Sequence, residues 1–140
     1  MFDQPVRTLM VQKKLLTAAP ETTVSNAAKL MADRNVGAVM VVENELLVGI
    51  FSERDAVFRV IAKGRDAKTT LLSEVMTTAP KTIDPATTYG HALLLMQENG
   101  FRHVPVIENG RPIGIISSRN AMDPDLEEFV AEARRREHYR

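Results

Sequence analysis

The amino-acid sequence predicts an α/β (α+β) fold made of two related β-α-β-β-α units that face each other across a pseudo-twofold axis, followed by a C-terminal helix. Two observations lead to this prediction. Residues 20–56 return, degenerate but without a gap, 65 positions later as residues 85–121. Within each copy the apolar pattern changes from a helical to a strand period at matching places. Because stacked arrays generally need about three or more repeats, two copies favour a facing pair over a solenoid.

The repeat is visible in residue pairs that are identical at this shift. They include Pro20/Pro85, Thr22/Thr87, Thr23/Thr88, Ala27/Ala92, Leu30/Leu95, Met31/Met96, Val39/Val104, Val41/Val106, Glu43/Glu108, Asn44/Asn109, Gly49/Gly114, Ser52/Ser117, Arg54/Arg119 and Ala56/Ala121.

Each copy is predicted to contain a first helix with a shared stop. In the first copy the apolar stripe is Val24, Ala27, Ala28 and Met31, with Thr22 or Thr23 as N-cap. The second copy repeats the stripe as Tyr89, Ala92, Leu93 and Met96. Asn35 and Gly100 occupy the same position after the two stripes, and both residue types easily adopt the left-handed conformation that ends a helix.

A hairpin follows each first helix. The first copy has apolar runs at 38–42 and 46–51, and the second has them at 104–107 and 112–116. Asn109-Gly110 between two such runs is a strong hairpin signal, and Asn44-Glu45 is a weaker version of it.

A second helix should begin at Ser52, with Ala56, Val57, Val60 and Ile61 as its apolar face. The polar, Gly-containing segment 62–70 is interpreted as a linker, which places the repeats at 6–61 and 71–122. A C-terminal helix is predicted over 123–140, with Asp123 as N-cap and Pro124 in its first turn. Its apolar stripe needs a partner surface, either the module itself or a second subunit. That stripe consists of Leu126, Phe129, Val130 and Ala133.

Length and composition narrow the classes of function. The 140 residues are about one domain's worth, and 44% hydrophobic residues suffice for a core. Basic and acidic residues are equal at 18 each, and the two halves carry about +2 and about −2, so we expect no nucleic-acid partner. The absence of cysteine excludes disulfides and thiolate metal sites. Without an apolar leader or a run of about 18 apolar residues, we expect a cytoplasmic protein with no membrane partner.

At this point the chain resembles a tandem pair of cystathionine β-synthase (CBS) domains, often called a Bateman module. The resemblance covers roughly residues 6–122. It is carried by the run GIFSERD at 49–55, its echo GIISSRN at 114–120, the segment VMTTAPKTIDPATT at 75–88 and the segment RHVPVIENGRPIG at 102–114.

The resemblance implies a regulatory module that binds adenosine-containing ligands in two clefts between the repeats. The ligands of the family are AMP, ADP, ATP and S-adenosylmethionine, and sometimes NAD. Many members form a homodimeric disc of four CBS units, and most control an attached enzyme or channel. We expect no attached partner of this kind, and the regulated protein stays unidentified.

Ser52 and Asp55 are the first site candidates. Their spacing at a helix start is that of a capping box, which is a purely structural role. A helix N-terminus also favours an anion. In modules similar to this one, the Ser contacts phosphate and the Asp receives the ribose hydroxyls, and the two roles do not exclude each other.

The second copy departs from this pattern, because Asn120 follows Ser117 where the first copy has Asp55. An amide has one acceptor oxygen and no charge, so ribose binding there should be weaker. Arg102 and His103 replace Gly37 and Ala38 of the first copy; they either reach phosphates beside Ser117 or are solvated surface residues.

The remaining candidates are weaker. Arg54 and Arg119 either guide phosphates or pair with helix acids such as Glu53. Thr17 and Thr82 stand where the family lines its adenine pocket, although a Thr at a strand end is common without a ligand. We expect no catalysis and no catalytic cofactor, because the sequence has no nucleophile elbow, P-loop or dinucleotide fingerprint. The alternative function is a ligand-free scaffold for dimerisation or protein binding.

Overall fold

The computed structural model describes residues 2–10, 15–118, 133, 135 and 136. The predicted site residues Arg119 and Asn120, and all but three residues of the predicted helix over 123–140, lie outside this range. The elements are a 3-10 turn at Val6–Thr8, β1 (Thr17–Ala18), α1 (Val24–Arg34), β2 (Ala38–Glu43), β3 (Leu46–Ser52), α2 (Glu53–Asp55) continued by a π-helix (Ala56–Ile61), α3 (Leu72–Val75), β4 (Thr77–Thr78), α4 (Tyr89–Asn99), β5 (His103–Glu108) and β6 (Arg111–Ser117). None of the helices in this part of the chain is long and apolar enough to cross a membrane.

The first helix of each repeat begins and ends as the sequence predicts. The Thr23 hydroxyl accepts from the amide of Asn26 at 3.2 Å, and the Thr88 hydroxyl does the same for His91 at 3.3 Å. Each side chain satisfies one amide that the first turn leaves without a helical partner. At the other end Asn35 and Gly100 are both left-handed, with φ of 53° and 70°. Both helices therefore end with the same left-handed backbone geometry, which confirms the prediction.

The two hairpins are nearly identical in register. β2 and β3 are antiparallel with an irregularity at Val41/Val42, and β5 and β6 repeat it at Val106/Ile107. In the first turn Asn44 and Glu45 have φ of 53° and 68°, and in the second Asn109 and Gly110 have φ of 56° and 78°. Positive φ at both central residues is the turn type that Asn-Gly favours, so the prediction is confirmed in both copies.

The strand before each first helix pairs in parallel with the hairpin. β1 lies beside β2, with Ala18 opposite Val41, and the equivalent Ile83 forms a parallel bridge to Val106. The first sheet has the order β1-β2-β3-β4, and the second sheet consists of β5 and β6. The mixed α/β fold with two related units is therefore observed.

Each core is completed by the first residues of the other repeat. Leu72 and Val75, at the start of the second repeat, are buried in the first core with Phe51. Val6, at the start of the first repeat, is buried in the second core with Tyr89. Backbone hydrogen bonds hold both segments in place: Leu72 N donates to Thr22 O at 2.9 Å, and Val6 N donates to Thr87 O at 2.8 Å. The repeats are thus interlocked rather than merely placed side by side.

The second helix of the first repeat differs from its predicted packing. It begins at Ser52 as expected, but its backbone is π-helical from Ala56 to Ile61. Of the predicted apolar face, Val60 is buried, whereas Val57 is 50% exposed and Ile61 is 71% exposed. Phe58, at 58% exposure, extends this surface. The helix therefore carries apolar side chains on its outer side as well as on its core side.

Candidate functional site

A cleft of about 850 Å³ opens beside the start of the second helix of the first repeat. One wall is formed by the end of β3 and this helix, a second by the segment 77–81, and a third by the start of β5. We call residues 77–81 the wall segment. The lining residues are Ile50, Ser52, Glu53, Arg54, Asp55, Val57, Phe58, Thr77, Ala79, Pro80, Lys81, Gly100, Phe101, Arg102 and His103.

Ser52 and Asp55 form a complete capping box at the cleft. The Ser52 hydroxyl accepts from the Asp55 amide at 3.3 Å, and the Asp55 carboxylate oxygen Oδ2 accepts from the Ser52 amide at 2.9 Å. The Ser52 hydroxyl also lies 3.2 Å from Oδ2. These contacts fix both side chains at the helix start, where they also line the cleft. The structural role is therefore real, and it holds a carboxylate at the position where a ligand would meet it.

Arg102 and His103 lie beside the second motif, as the repeat pattern predicts, because His103 pairs with Ser117 between β5 and β6. Both residues also line the Ser52 cleft, which the pattern does not predict. The reason is the pseudo-twofold arrangement, which brings the start of each hairpin against the other. A Cβ atom on Gly37 would lie 3.4 Å from Nε2 of His103 and 3.0 Å from Oε1 of Glu53. Glycine at position 37 thus leaves room for the imidazole and the carboxylate to approach this point.

Matching hydrogen bonds relate the starts of the two hairpins. Glu53 N donates to Gly37 O at 3.0 Å, and at the same shift Ser118 N donates to Arg102 O at 2.9 Å. The backbone of Arg102 therefore contacts the second motif while the residue lines the first cleft.

Arg54 stacks on an aromatic ring at the cleft. Its guanidinium carbon lies 5.0 Å from the ring centroid of Phe58, a cation–π contact. Among the described residues it forms no ion pair with an acid, so the predicted alternative of pairing with Glu53 is not what the structure shows. Phe58 thus orients Arg54 at the cleft.

The other predicted site residues are not brought to this cleft. Thr17 lies on β1, where it pairs with Met40, and Thr82 follows the wall segment without lining the cleft. Ser117 ends β6 and is half-buried. Arg119 and Asn120 lie outside the described residues, so the second motif is seen only up to Ser118.

Sequence reasoning missed the wall segment. Lys81 and Phe101 line the cleft although neither is among the predicted site residues. Ala79 has φ of 44°, a left-handed conformation that costs a residue with a Cβ atom energy and concentrates at functional sites. The available signal is Pro80, because a proline disfavours the right-handed helical conformation in the residue before it.

The charge along the cleft is mixed, with cations in excess. Arg54, Lys81 and Arg102 face the two carboxylates of Glu53 and Asp55. Within the described part of the chain, neither Lys81 nor Arg102 forms an ion pair. The lining also includes apolar side chains such as Phe101. Such a cleft can hold a ligand that combines a flat apolar group, hydroxyls for a carboxylate and at least one negative charge.

Comparison with known proteins agrees with this architecture. The model of the family described as CBS domain matches twice, at residues 6–62 and 72–124. A mitochondrial CBS domain-containing protein of Arabidopsis thaliana, CBSX3, is 36% identical over 89% of this chain and 63% of its own length. The CBS domain-containing protein YhcV of Bacillus subtilis is 36% identical over 74% of each chain. The chain thus spans less than two thirds of the plant relative.

Solved structures show the same fold. A conserved protein from Pyrococcus horikoshii superposes with a TM-score of 0.82 at 28% identity, over 89% of this chain and 94% of its own. The CBS domain pair of protein MJ0100, in complex with 5′-methylthioadenosine and S-adenosyl-L-methionine, has a TM-score of 0.79 at 21% identity, over 89% of this chain and 98% of its own. With the two matched repeats and the interlocked cores, the chain belongs to the CBS domain family.

Proposed function

We propose that this CBS pair is a regulatory module that binds an adenosine-containing ligand in the Ser52 cleft and signals its occupancy to a partner protein. The observation that supports it most is the convergence of Ser52 and Asp55 with Arg102, His103 and Lys81 in one cavity of about 850 Å³. The fold alone would allow an empty cleft. This set of side chains supplies both a hydrogen-bond acceptor for ribose hydroxyls and hydrogen-bond donors for phosphate.

In this proposal each group has a distinct role. The Asp55 carboxylate accepts hydrogen bonds from ribose hydroxyls, because an ionised carboxylate has about four acceptor positions and the cap uses only part of them. Arg102 and Lys81 neutralise phosphate, and a guanidinium can do so with two parallel hydrogen bonds. Phe101 and Ile50 offer apolar surface to the base.

Two cleft cations that form no ion pair within the described residues favour a phosphorylated member of the ligand class. Burying Arg102 and Lys81 beneath a neutral or cationic ligand would remove them from water without a counter-charge, which is costly. AMP, ADP and ATP supply that charge, and NAD does so through its pyrophosphate. MJ0100 carries S-adenosylmethionine and 5′-methylthioadenosine, but its likeness to this chain establishes the fold alone.

A thermal-shift panel tests the proposal. The ligands are AMP, ADP, ATP, NAD, S-adenosylmethionine and GMP as the guanine control. A ligand at about 100 times its dissociation constant should add about 2.7 kcal/mol to the free energy of unfolding, which amounts to several degrees in a chain of this size. We expect the adenine nucleotides to stabilise the protein more than S-adenosylmethionine or GMP. No shift with any adenosine ligand at millimolar concentration would contradict ligand binding.

A second candidate function is a scaffold module whose clefts stay empty and which acts through dimerisation or protein binding. The observation that favours it is the outer surface of the second helix, where Val57, Phe58 and Ile61 are all at least half exposed. In either function we propose a homodimer, which light scattering should show as twice the monomer mass. A strict monomer at tens of micromolar would exclude it.

We propose a regulatory rather than a catalytic role for the module. The Ser52 hydroxyl contacts the Asp55 carboxylate and serves as a helix cap. We propose a cytoplasmic location for the module, although the plant relative carries a mitochondrial designation.

A further inference from the structure

Arg59 bridges two walls of the cleft without lining it. Its Nη1 atom donates to the backbone carbonyls of Val75 at 3.2 Å and Met76 at 3.1 Å, immediately before the wall segment. Its Nε atom lies 3.5 Å from Oδ1 of Asp55, one helical turn earlier. One guanidinium therefore contacts both the carboxylate at the cleft and the backbone that leads into the opposite wall.

The two oxygens of Asp55 are held by different partners. Oδ2 is taken by the Ser52 cap, and Oδ1 faces Arg59. The Asp55 side chain is 14% exposed, so its orientation depends on these contacts rather than on water. Arg59 itself is 48% exposed, and nothing in the capping box requires it.

The wall segment is also held by backbone contacts with β3, including one with Val48. β4 pairs with β3 through Thr77 and Thr78, and Ala79 N donates to Val48 O at 3.3 Å with a left-handed backbone. A strained conformation persists only where neighbouring contacts hold it in place. The Arg59 bonds to the two preceding carbonyls are such contacts.

We propose that Arg59 is the positioning residue of this cleft, fixing the Asp55 carboxylate at a set distance from the wall segment. A single planar guanidinium would then set the distance between the groups that contact the ribose and the groups that contact the base of one ligand. This inference rests on the proposed function, since it gives Arg59 its role through Asp55. Lysine cannot replace it fully, because an ammonium is a point charge without the planar fork that reaches two carbonyls.

The first test needs no ligand. Hydrogen exchange is measured for the Met76 and Ala79 amides in the parent, Arg59→Met and Arg111→Met. Arg111 is the matched control, because it forms an exposed ion pair with Glu45, at a distance of 2.8 Å, and neither residue lines the cleft. Arg59→Met should speed exchange of the Ala79 amide about tenfold, which equals a loss of about 1.4 kcal/mol of local opening free energy. Arg111→Met should leave it unchanged. Equal exchange in parent and Arg59→Met overturns the inference.

The second test uses ribose preference, the ratio of the affinities for adenosine and 2′,3′-dideoxyadenosine. Arg59→Met should lower this ratio about tenfold, the scale of one hydrogen bond to a charged group. Arg59→Lys should recover part of the ratio but not the slow exchange of Ala79. The effects of Arg59→Met and Asp55→Asn should be non-additive in the double variant, since one residue acts through the other. An unchanged ratio or strict additivity overturns the inference.

The two proposals fail in different ways. If the parent binds neither nucleoside nor AMP, the proposed function is wrong, and the exchange comparison alone decides whether Arg59 holds the wall. If the parent binds adenosine and Arg59→Met keeps the parent's ribose preference, the function stands and Arg59 has no positioning role.

Discussion

Asp55 has a structural role in the capping box, and we propose a binding role for the same carboxylate. Its cap contacts with Ser52 at 2.9 and 3.3 Å follow directly from the Ser-x-x-Asp spacing, so the sequence alone predicts them. The bond to Arg59 was not predicted, although the pair stands at the i, i+4 spacing at which helix side chains meet. The presence of Arg102 in the same cleft could not be predicted either, because it depends on how the repeats face each other.

Replacing Asp55 separates its two roles. Asp55→Ala should lower the free energy of unfolding by about 0.5–2 kcal/mol, the usual cost of a lost cap. If the carboxylate also holds ribose, the stabilisation by AMP should fall far more than the stability of the ligand-free protein. Thermal unfolding with and without AMP measures both quantities. Equal AMP affinity in variant and parent would remove Asp55 from the site.

Replacing Arg102 should affect phosphate and spare the nucleoside. Arg102→Met removes a cleft cation, so AMP affinity should fall about tenfold, as expected for the loss of one charge-assisted hydrogen bond. Adenosine affinity should stay close to that of the parent. Calorimetry with both ligands decides this, with Arg111→Met as the control. An equal loss for adenosine and AMP would mean that Arg102 shapes the cleft rather than contacting phosphate.

The hairpin shows how far an element can be predicted from local sequence. Asn109-Gly110 and Asn44-Glu45 adopt the same turn, although Glu45 must accept φ of 68° with a side chain. The helix stops were predictable for the same reason, since Asn and Gly tolerate left-handed backbone. The exposure of Val57 and Ile61 was not, because an apolar helical period has the same sequence pattern whether it faces a core or solvent.

Relieving the strain in the first turn should stabilise the protein. Glu45→Gly removes the Cβ atom at positive φ and should raise the free energy of unfolding by about 0.5–1 kcal/mol. The lost pair with Arg111 offsets little of this, because both side chains are well exposed. Glu45→Ala is the control: it loses the same ion pair and keeps the strain. Urea unfolding that ranks Glu45→Gly at or below Glu45→Ala would contradict the turn assignment.

At the scale of the whole molecule, the exchange of segments between the cores matters most. The duplication was visible in the sequence, and so was the pairing of related units. The sequence did not show that Val6 belongs to the second core and Leu72 to the first, because a repeat alignment groups residues by order and not by contact. The repeat to which the cleft belongs could not be read from residue order either, since its wall segment follows α3 in the sequence but pairs with β3 of the first repeat.

Interlocking predicts that the two repeats unfold together. Leu72→Ala should lower the free energy of unfolding by about 2–5 kcal/mol, since Leu72 is fully buried. The helix that carries Leu72 leads into β4 and the wall segment, so the change should affect both repeats. The variant should therefore still unfold in a single cooperative transition. Calorimetry measures this through the ratio of calorimetric to van't Hoff enthalpy, which stays near unity for a two-state protein. Two separate transitions in the variant would contradict the interlocked architecture.

Binding of an adenosine ligand in the cleft between the repeats can be mapped by amide chemical-shift changes on titration with AMP. We expect saturable changes concentrated at residues 50–55, in the wall segment 77–81 and at 100–103, with GMP producing much smaller ones. Absent changes at millimolar AMP, or changes that avoid these three segments, would contradict it.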